Sequence, residues 1–168
     1  MKSDNPLKQF AVVFVITLVI YAASYQWIEH KRRVHGPWQI TFTTDPAGHP
    51  TLIINQPAFG ITNSRVILIE ETATLTNAPV SLTLKDPRQT PIDVPFGKLK
   101  YMDLTFLPGT LTFELHGHEI ELIPRTLYLN RKETPWTPNT DHQLKTSEKL
   151  PAAALTPRKK KQPLGTEK

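Results

Sequence analysis

The pattern of apolar and polar positions divides the chain into one long apolar run followed by a region of short alternating segments. The run covers residues 10–28, nineteen positions without a formal charge. A helix of that length spans about 28 Å at ~1.5 Å per residue, close to the ~30 Å hydrocarbon core of a bilayer. Tyr21, Tyr25 and Trp27 lie near its C-terminal end, where amphipathic rings favour the headgroup layer. The run therefore predicts a transmembrane helix whose partner is the lipid bilayer.

The same segment also fits a cleaved secretory signal. Lys2 and Lys8 would form its basic region, and small residues favour a cut after Ser24. Against cleavage, apolar residues continue beyond that position, and a basic group at 31–33 follows as at a membrane boundary. We interpret the segment as an uncleaved signal-anchor, because a short basic stretch before an apolar run is typical of that class. This interpretation makes the protein single-pass. The Lys and Arg counts on the two flanks of the run are close to a tie and slightly favour a cytoplasmic C-terminus, but long domains translocate largely regardless of charge, so we expect the following domain to lie outside the cytoplasm.

Beyond the anchor, the chain repeats segments of about four to eight residues rich in Val, Ile, Thr, Phe and Tyr, bounded by Pro, Gly, Asn and Asp, as β-strands are. We predict seven or eight strands, at residues 38–43, 51–55, 65–70, 80–84, 99–107, 110–115, 118–123 and 126–130. The segment 65–70 is apolar on both faces, which predicts a central strand covered on both sides.

The clearest element is a hairpin over residues 110–123, in which apolar residues occupy every second position. A two-residue loop at 116–117 sets Phe113 opposite Ile120, so that both strands bury the same face. A three-residue loop would set apolar residues opposite acidic ones. The alternation therefore predicts the shorter loop.

No segment between residues 36 and 136 keeps a helical period over ten positions, so we predict no long helix there. Many short strands over about 100 residues favour an all-β fold, either a small antiparallel β-sandwich or a barrel-like variant. We divide the chain into a membrane anchor with its basic flank at 1–33, a β-sandwich domain at 34–136 and a C-terminal tail at 137–168.

The tail carries four prolines, few large apolar residues and the basic run 158–161. Such a composition cannot bury enough apolar surface to offset the entropy of ordering the chain, so we predict that the tail is disordered. The basic run permits two interpretations. It either solubilises the chain or tethers it to anionic lipid or nucleic acid.

The net charge of +5 is unevenly distributed. Residues 1–36 carry a net +3 and residues 131–168 a net +5, whereas residues 37–130 carry a net −3. A folded domain that binds a nucleic-acid backbone needs positive charge on its own surface. Because the predicted domain region carries net negative charge, we expect no specific nucleic-acid partner. The chain has no cysteine, which excludes disulfides, thiolate nucleophiles and cysteine-ligated metals.

The strongest candidate for chemistry is the segment His116-Gly117-His118-Glu119. Two histidines and a carboxylate at this spacing can ligate Zn²⁺ or Fe²⁺. The His-x-His spacing, with Gly109 upstream, resembles the first metal-binding motif of cupins, although the later glutamate and the second motif are missing. The segment lies at the predicted hairpin tip, where both imidazoles would be solvated. We therefore interpret it as a polar turn and predict no metal site, no cofactor and no catalytic residue.

The other polar residues lack a pattern that points to a reaction. Trp38 and Trp136 bracket the domain, and we interpret them as rings that seal the two ends of a β core rather than as a ligand platform. Isolated histidines, aspartates and serines show no ligand or nucleophile spacing, namely His35, His49, His142, Asp86, Asp93, Asp103, Ser64 and Ser81. We identify no small-molecule substrate.

These observations predict a single-pass membrane-anchored protein that presents a non-catalytic β-sandwich to an unknown protein partner, as an interaction or accessory module. Two alternatives remain open. One is a metal-dependent β-barrel enzyme that uses His116 and His118. The other is a lipid or nucleic-acid tether through the basic run 158–161.

Overall fold

A computed structural model of the protein describes residues 6–73, 79–151 and 154–155. The N-terminal helix α1, Pro6–Arg33, begins at a proline, whose missing N–H is tolerated in a first turn. Gly36 then adopts a left-handed conformation with φ of 67° and is followed by Pro37, so the helix does not continue. The apolar side chains of α1 are exposed, and over Pro6–Lys31 the helix is long and apolar enough to cross a membrane.

Within the described residues, eleven short strands follow α1: β1 Gln39–Thr44, β2 Pro50–Gln56, β3 Ile61–Leu68, β4 Val80–Thr83, β5 Ile92–Val94, β6 Gly97–Asp103, β7 Thr110–Leu115, β8 His118–Ile123, β9 Thr126–Leu129, β10 Lys132–Thr134 and β11 Asp141–Leu144. Two 3₁₀ turns, Pro57–Phe59 and Thr146–Glu148, complete the described elements. The predicted all-β domain after one apolar helix is confirmed, and no long helix occurs between residues 36 and 136 in its described part.

The strands form two sheets. Sheet A has the order β11-β3-β2-β1-β4, and sheet B has the order β10-β9-β8-β7-β6-β5. All neighbouring strands are antiparallel except β3 and β11, which run parallel. The two sheets share no strand in the described chain, so the fold is a sandwich rather than a closed barrel.

The alternation of apolar residues places the core between the sheets. Phe42 of β1 packs edge-on against Phe113 of β7, with ring centroids 6.0 Å apart, and both side chains are fully buried. The β7–β8 hairpin has the predicted register: Phe113 lies opposite Ile120, and the loop contains two residues. β3 is an interior strand of sheet A. Ile67, on the face away from the core, is also buried, in keeping with a strand covered on both sides.

Trp38 and Trp136 lie together rather than at two ends of the core, which corrects the prediction. Their ring centroids are 5.4 Å apart. The Trp38 indole Nε1–H donates to the carbonyl oxygen of Gly109 at 3.0 Å, and that of Trp136 donates to Ile123 at 2.8 Å. The buried Trp38 and the half-buried Trp136 thus both satisfy their indole N–H groups, while their rings pack at the end of the core where β1 begins.

A short linker joins α1 to β1, and the domain holds it in place. The buried side chain of Gln56 donates from Nε2 to the carbonyl oxygens of Gly36 and Pro37, at 3.1 and 3.0 Å. The ring of His35 stacks on Phe59 with centroids 4.8 Å apart. The linker is thus part of the folded domain from His35 onward.

One predicted strand ends earlier than expected, and two short strands were not predicted. The strand predicted at 99–107 ends at Asp103, because the Asp103 carboxylate accepts the backbone N–H of Thr105 at 2.9 Å and turns the chain. This hydrogen bond is the main reason that the pKa of Asp103 is lowered. The short strands β5 and β10 were not predicted, since three residues give too little alternation to recognise.

The domain also extends beyond residue 136, so the prediction of a disordered tail from 137 was wrong for its first part. β11 pairs with β3, and Arg65 binds Asp141 through two hydrogen bonds of 2.7 and 2.8 Å. Leu144 enters the core. Beyond residue 151, the predicted tail, including the basic run 158–161, lies outside the described residues except for Ala154 and Leu155.

Substitutions on the two faces of β7 should differ in how much they lower the free energy of unfolding. We expect Phe113→Ala to lower the free energy of unfolding by about 3–5 kcal/mol, because it leaves a cavity between the sheets. Thr112→Ala, on the outer face of the same strand, should cost on the order of 0.5 kcal/mol. Chemical denaturation of the full chain in detergent, followed by tryptophan fluorescence, measures both. Equal losses would contradict the observed orientation of β7.

Candidate functional site

The candidate site is the hairpin tip between β7 and β8, at the end of the sandwich opposite the α1 linker. His116 and Gly117 form the two-residue loop with φ of 48° and 86°, the two left-handed conformations of a type I′ turn. The backbone N–H of His116 donates to the carbonyl oxygen of Phe96 at 3.2 Å, so the tip is held against the β5–β6 connection. The tip is therefore a fixed part of the fold.

Three polar groups surround the Glu71 carboxylate beside this tip. This carboxylate lies 2.5 Å from Lys149 Nζ and 3.4 Å from His116 Nδ1, and it accepts the Thr146 hydroxyl at 3.2 Å. The hydrogen bond from Lys149 is the largest cause that lowers the pKa of Glu71. The backbone N–H of Leu150 also donates to the Gly117 carbonyl oxygen at 3.1 Å. These contacts fasten the segment after β11 across the hairpin tip.

His118 is fully buried, which overturns the prediction that both histidines are solvated. Its Nδ1 lies 3.0 Å from Asn130 Nδ2. The Asn130 amide has a fixed orientation, because its Oδ1 accepts the backbone N–H of Glu119 at 3.0 Å. Asn130 therefore donates to Nδ1, and the proton of neutral His118 resides on Nε2. In the described part of the chain, Nε2 has no hydrogen-bond partner.

Strand parity gives the reason for the burial of His118. In the β7–β8 register His118 lies opposite Leu115, and it shares the inward face with Ile120. The same alternation that predicted the position of Ile120 could have located His118, had it been continued to the first residue of the strand. His116 precedes the strand and keeps 28% of its side chain exposed.

His116 and His118 therefore differ in role. His116 belongs to the polar cluster around Glu71, whereas His118 fills the core behind the tip. Burial lowers the pKa of His118, and repulsion by Lys149 adds to this, so that the imidazole is neutral near pH 7. Among the described residues, no group of three or more His, Asp or Glu side chains is placed to hold a metal ion.

The other polar residues considered from the sequence are separated by the fold. Asp93 lies 3.8 Å from Lys98 on the exposed β5–β6 hairpin, and His49 Nδ1 contacts the Glu71 carbonyl oxygen at 3.2 Å. Ser64 is buried in β3, and Ser81 on β4 shares a 3.2 Å hydrogen bond with Thr41. The fold brings none of them into the cluster around the Glu71 carboxylate.

No family model, no curated protein and no solved structure matches this chain.

The buried histidines predict that the folded domain loses stability in mild acid. Burial holds the pKa of His118, and that of His142 on β11, below the ordinary 6.5. The unfolded chain therefore binds protons first as the pH falls, so the stabilisation is complete above ~6.5 and is lost below it.

Unfolding free energies measured in steps from about pH 8 to about pH 5.5 keep most carboxylates ionised and isolate this effect. We expect a decline below ~6.5, and His118→Gln should reduce its slope. His142→Gln in the same background should remove much of the remainder. An unchanged slope in His118→Gln would show that His118 does not carry the effect.

Proposed function

We propose that this protein is a single-pass membrane protein that holds a non-catalytic β-sandwich at the membrane surface, where the sandwich binds a protein partner. One observation carries the proposal: an exposed apolar helix of spanning length is joined to the folded domain by a linker that the domain itself holds. A core helix would bury its apolar side chains in the domain, whereas those of α1 face outward along its length. The bilayer is the environment that would cover them.

The placement of α1 residues supports this role. Tyr21 and Tyr25 stack near its C-terminal end with centroids 6.5 Å apart, and Lys31 Nζ lies 4.6 Å from the Trp27 ring centroid. Aromatic rings beside a basic side chain are typical of a membrane interface. The Thr17 hydroxyl donates a hydrogen bond to the Val13 carbonyl oxygen at 2.9 Å, which satisfies this polar group inside the apolar run.

The non-catalytic part of the proposal rests on the hairpin tip. A His118 whose proton is fixed on Nε2 by Asn130 offers no lone pair at that atom to a metal or a substrate. The Glu71 carboxylate is occupied by Lys149, His116 and Thr146. These contacts favour a structural role for the tip over the metal-dependent alternative. The basic run of the tether alternative lies outside the described residues.

We also propose that the domain lies on the exterior side of the membrane, since Lys2 and Lys8 precede the apolar run as in signal-anchor sequences. A reporter fused to the C-terminus and active only in the cytoplasm would contradict this side if it gave a signal.

The outer face of sheet B is the surface that we assign to the protein partner. Tyr101 on β6 keeps 51% of its side chain exposed there, beside the 2.8 Å ion pair of Lys100 and Glu114. Exposed tyrosines are frequent anchors of protein interfaces. Glu119 and Glu121 lie on the same face. Burial and the charge of Glu119 raise the pKa of Glu121, whereas Glu119 is itself paired with Arg131 at 3.1 Å; a cation from a partner would therefore act on Glu121.

A charge inside α1 should abolish membrane retention. Val15→Arg places a cation near the helix centre, at a cost of about 2.5–3.5 kcal/mol on insertion scales. Alkaline carbonate extraction of membranes should release this variant, whereas the matched Val15→Leu chain should remain in the pellet with the wild type. A pelleted Val15→Arg chain would show that α1 is not the anchor.

Photocrosslinking tests the partner surface. A photoreactive residue at Tyr101 in the full chain, expressed in its native cells, should give a discrete adduct with another protein. The same residue at Thr83, exposed on β4 of sheet A, is the matched control and should give none. Identical products at both positions, or none at Tyr101, would contradict the assignment of sheet B.

A further inference from the structure

Large apolar side chains are exposed at the end of the sandwich from which α1 departs. Phe59, in the 3₁₀ turn between β2 and β3, is 39% exposed, and Phe106, between β6 and β7, is 59% exposed. Val34 in the linker is 57% exposed. At the opposite end, the described residues carry one exposed large apolar side chain, Val80 at 43%, the first residue of β4. The two ends of the domain therefore differ in the surface that they offer to solvent.

Direct contacts place these apolar residues beside the linker. Gln56, which binds the linker carbonyl groups, is the residue immediately before the turn that holds Phe59. On sheet B, Gly109 accepts the Trp38 indole N–H at 3.0 Å, which brings the segment with Phe106 next to the start of β1. Both phenylalanines thus border the point where the chain enters the domain.

The short linker keeps this end of the domain close to the membrane surface. His35 is stacked on Phe59, so Val34 is the only residue between α1 and a position fixed on the sandwich. Two peptide units cover at most about 7 Å. Residues 29–33 of α1 rise about 7.5 Å beyond the apolar run. That rise is comparable to the headgroup layer, roughly 5–7 Å on each side of the hydrocarbon core.

Basic side chains at this end can contact an anionic headgroup layer, although the exposed acids Asp86 and Asp103 lie at the same end. Lys85 and Arg88 are exposed after β4, whose last residue Thr83 pairs with Gln39 at the start of β1. Arg125 is exposed between β8 and β9, next to the carbonyl group bound by Trp136. Aromatic and basic side chains together are the composition that membrane interfaces favour.

We propose that the α1-proximal end of the sandwich is a lipid-contact surface, with Phe59 and Phe106 in the headgroup layer of the leaflet from which α1 emerges. This rests on the proposed function, in which α1 spans the bilayer. The surface binds the membrane independently of the partner face on sheet B. With α1, it gives the domain three separated contacts with one leaflet, which fix its orientation.

Site-directed spin labelling tests this surface, and the absence of native cysteine allows one label per chain. The full chain is reconstituted in vesicles of phosphatidylcholine and phosphatidylglycerol. Variants Phe59→Cys and Phe106→Cys report on the surface, Ala47→Cys on the exposed turn at the opposite end, and Val15→Cys on the centre of α1. Accessibility to oxygen and to a water-soluble nickel chelate gives the depth of each label.

We expect the ratio of oxygen to nickel accessibility at Phe59 and Phe106 to lie between the low value at Ala47 and the high value at Val15. Values at both phenylalanines equal to that at Ala47, with Val15 in the hydrocarbon, would overturn the lipid-contact surface and leave the anchor intact. A label shielded from both reagents would show a protein neighbour instead and would also overturn it. A low ratio at Val15 would refute the anchor itself. Thermal unfolding of each variant verifies that the exposed substitutions preserve the fold.

Discussion

Burial of Trp38 between the two sheets is the contact on which the arrangement of α1 and the domain depends. Its ring fills the core beside Trp136, and its indole N–H binds Gly109 on the opposite sheet. Because Trp38 directly precedes β1, this contact determines where the chain from α1 joins the sandwich. The linker carbonyl groups held by Gln56 extend the same constraint toward the helix. Removing the indole would therefore loosen both the core and the junction with α1.

Local alternation was sufficient to predict the fold class and the best-formed hairpin. In β7 and β8 apolar residues occupy every second position. The apolar residues of the two strands lie opposite each other when the loop has two residues, so the pairing of Phe113 with Ile120 follows from the sequence. The pairing of β11 with β3 is different. Its residues Asp141 and Arg65 are 76 positions apart, and Asp141–Leu144 alone is a short polar segment. Its strand conformation comes from the sheet edge that it joins, which no local pattern reveals.

At the hairpin tip, the positions of the motif residues on their strands determine which chemical role they can have. The spacing of His116 and His118 fits metal ligands, but the two side chains separate at the turn: one lies in a polar cluster and the other in the core. The identity of the hydrogen-bond partner of His118 could not be predicted, because Asn130 lies in the connection between β9 and β10. The hydrogen-bond partners of buried polar atoms depend on such tertiary contacts, which amino-acid composition does not reveal.

The parallel pairing of β11 with β3 also has a consequence for the order in which the domain is assembled during synthesis. β3 emerges early, but its second edge waits until the ribosome has produced β11, after all the strands of sheet B. Sheet A thus carries an open edge for most of translation, and unpaired edges are prone to pair with other chains. Early capture of α1 by the membrane would confine each nascent chain to a surface. That confinement would keep incomplete domains from diffusing freely in solution while their last strand is still missing.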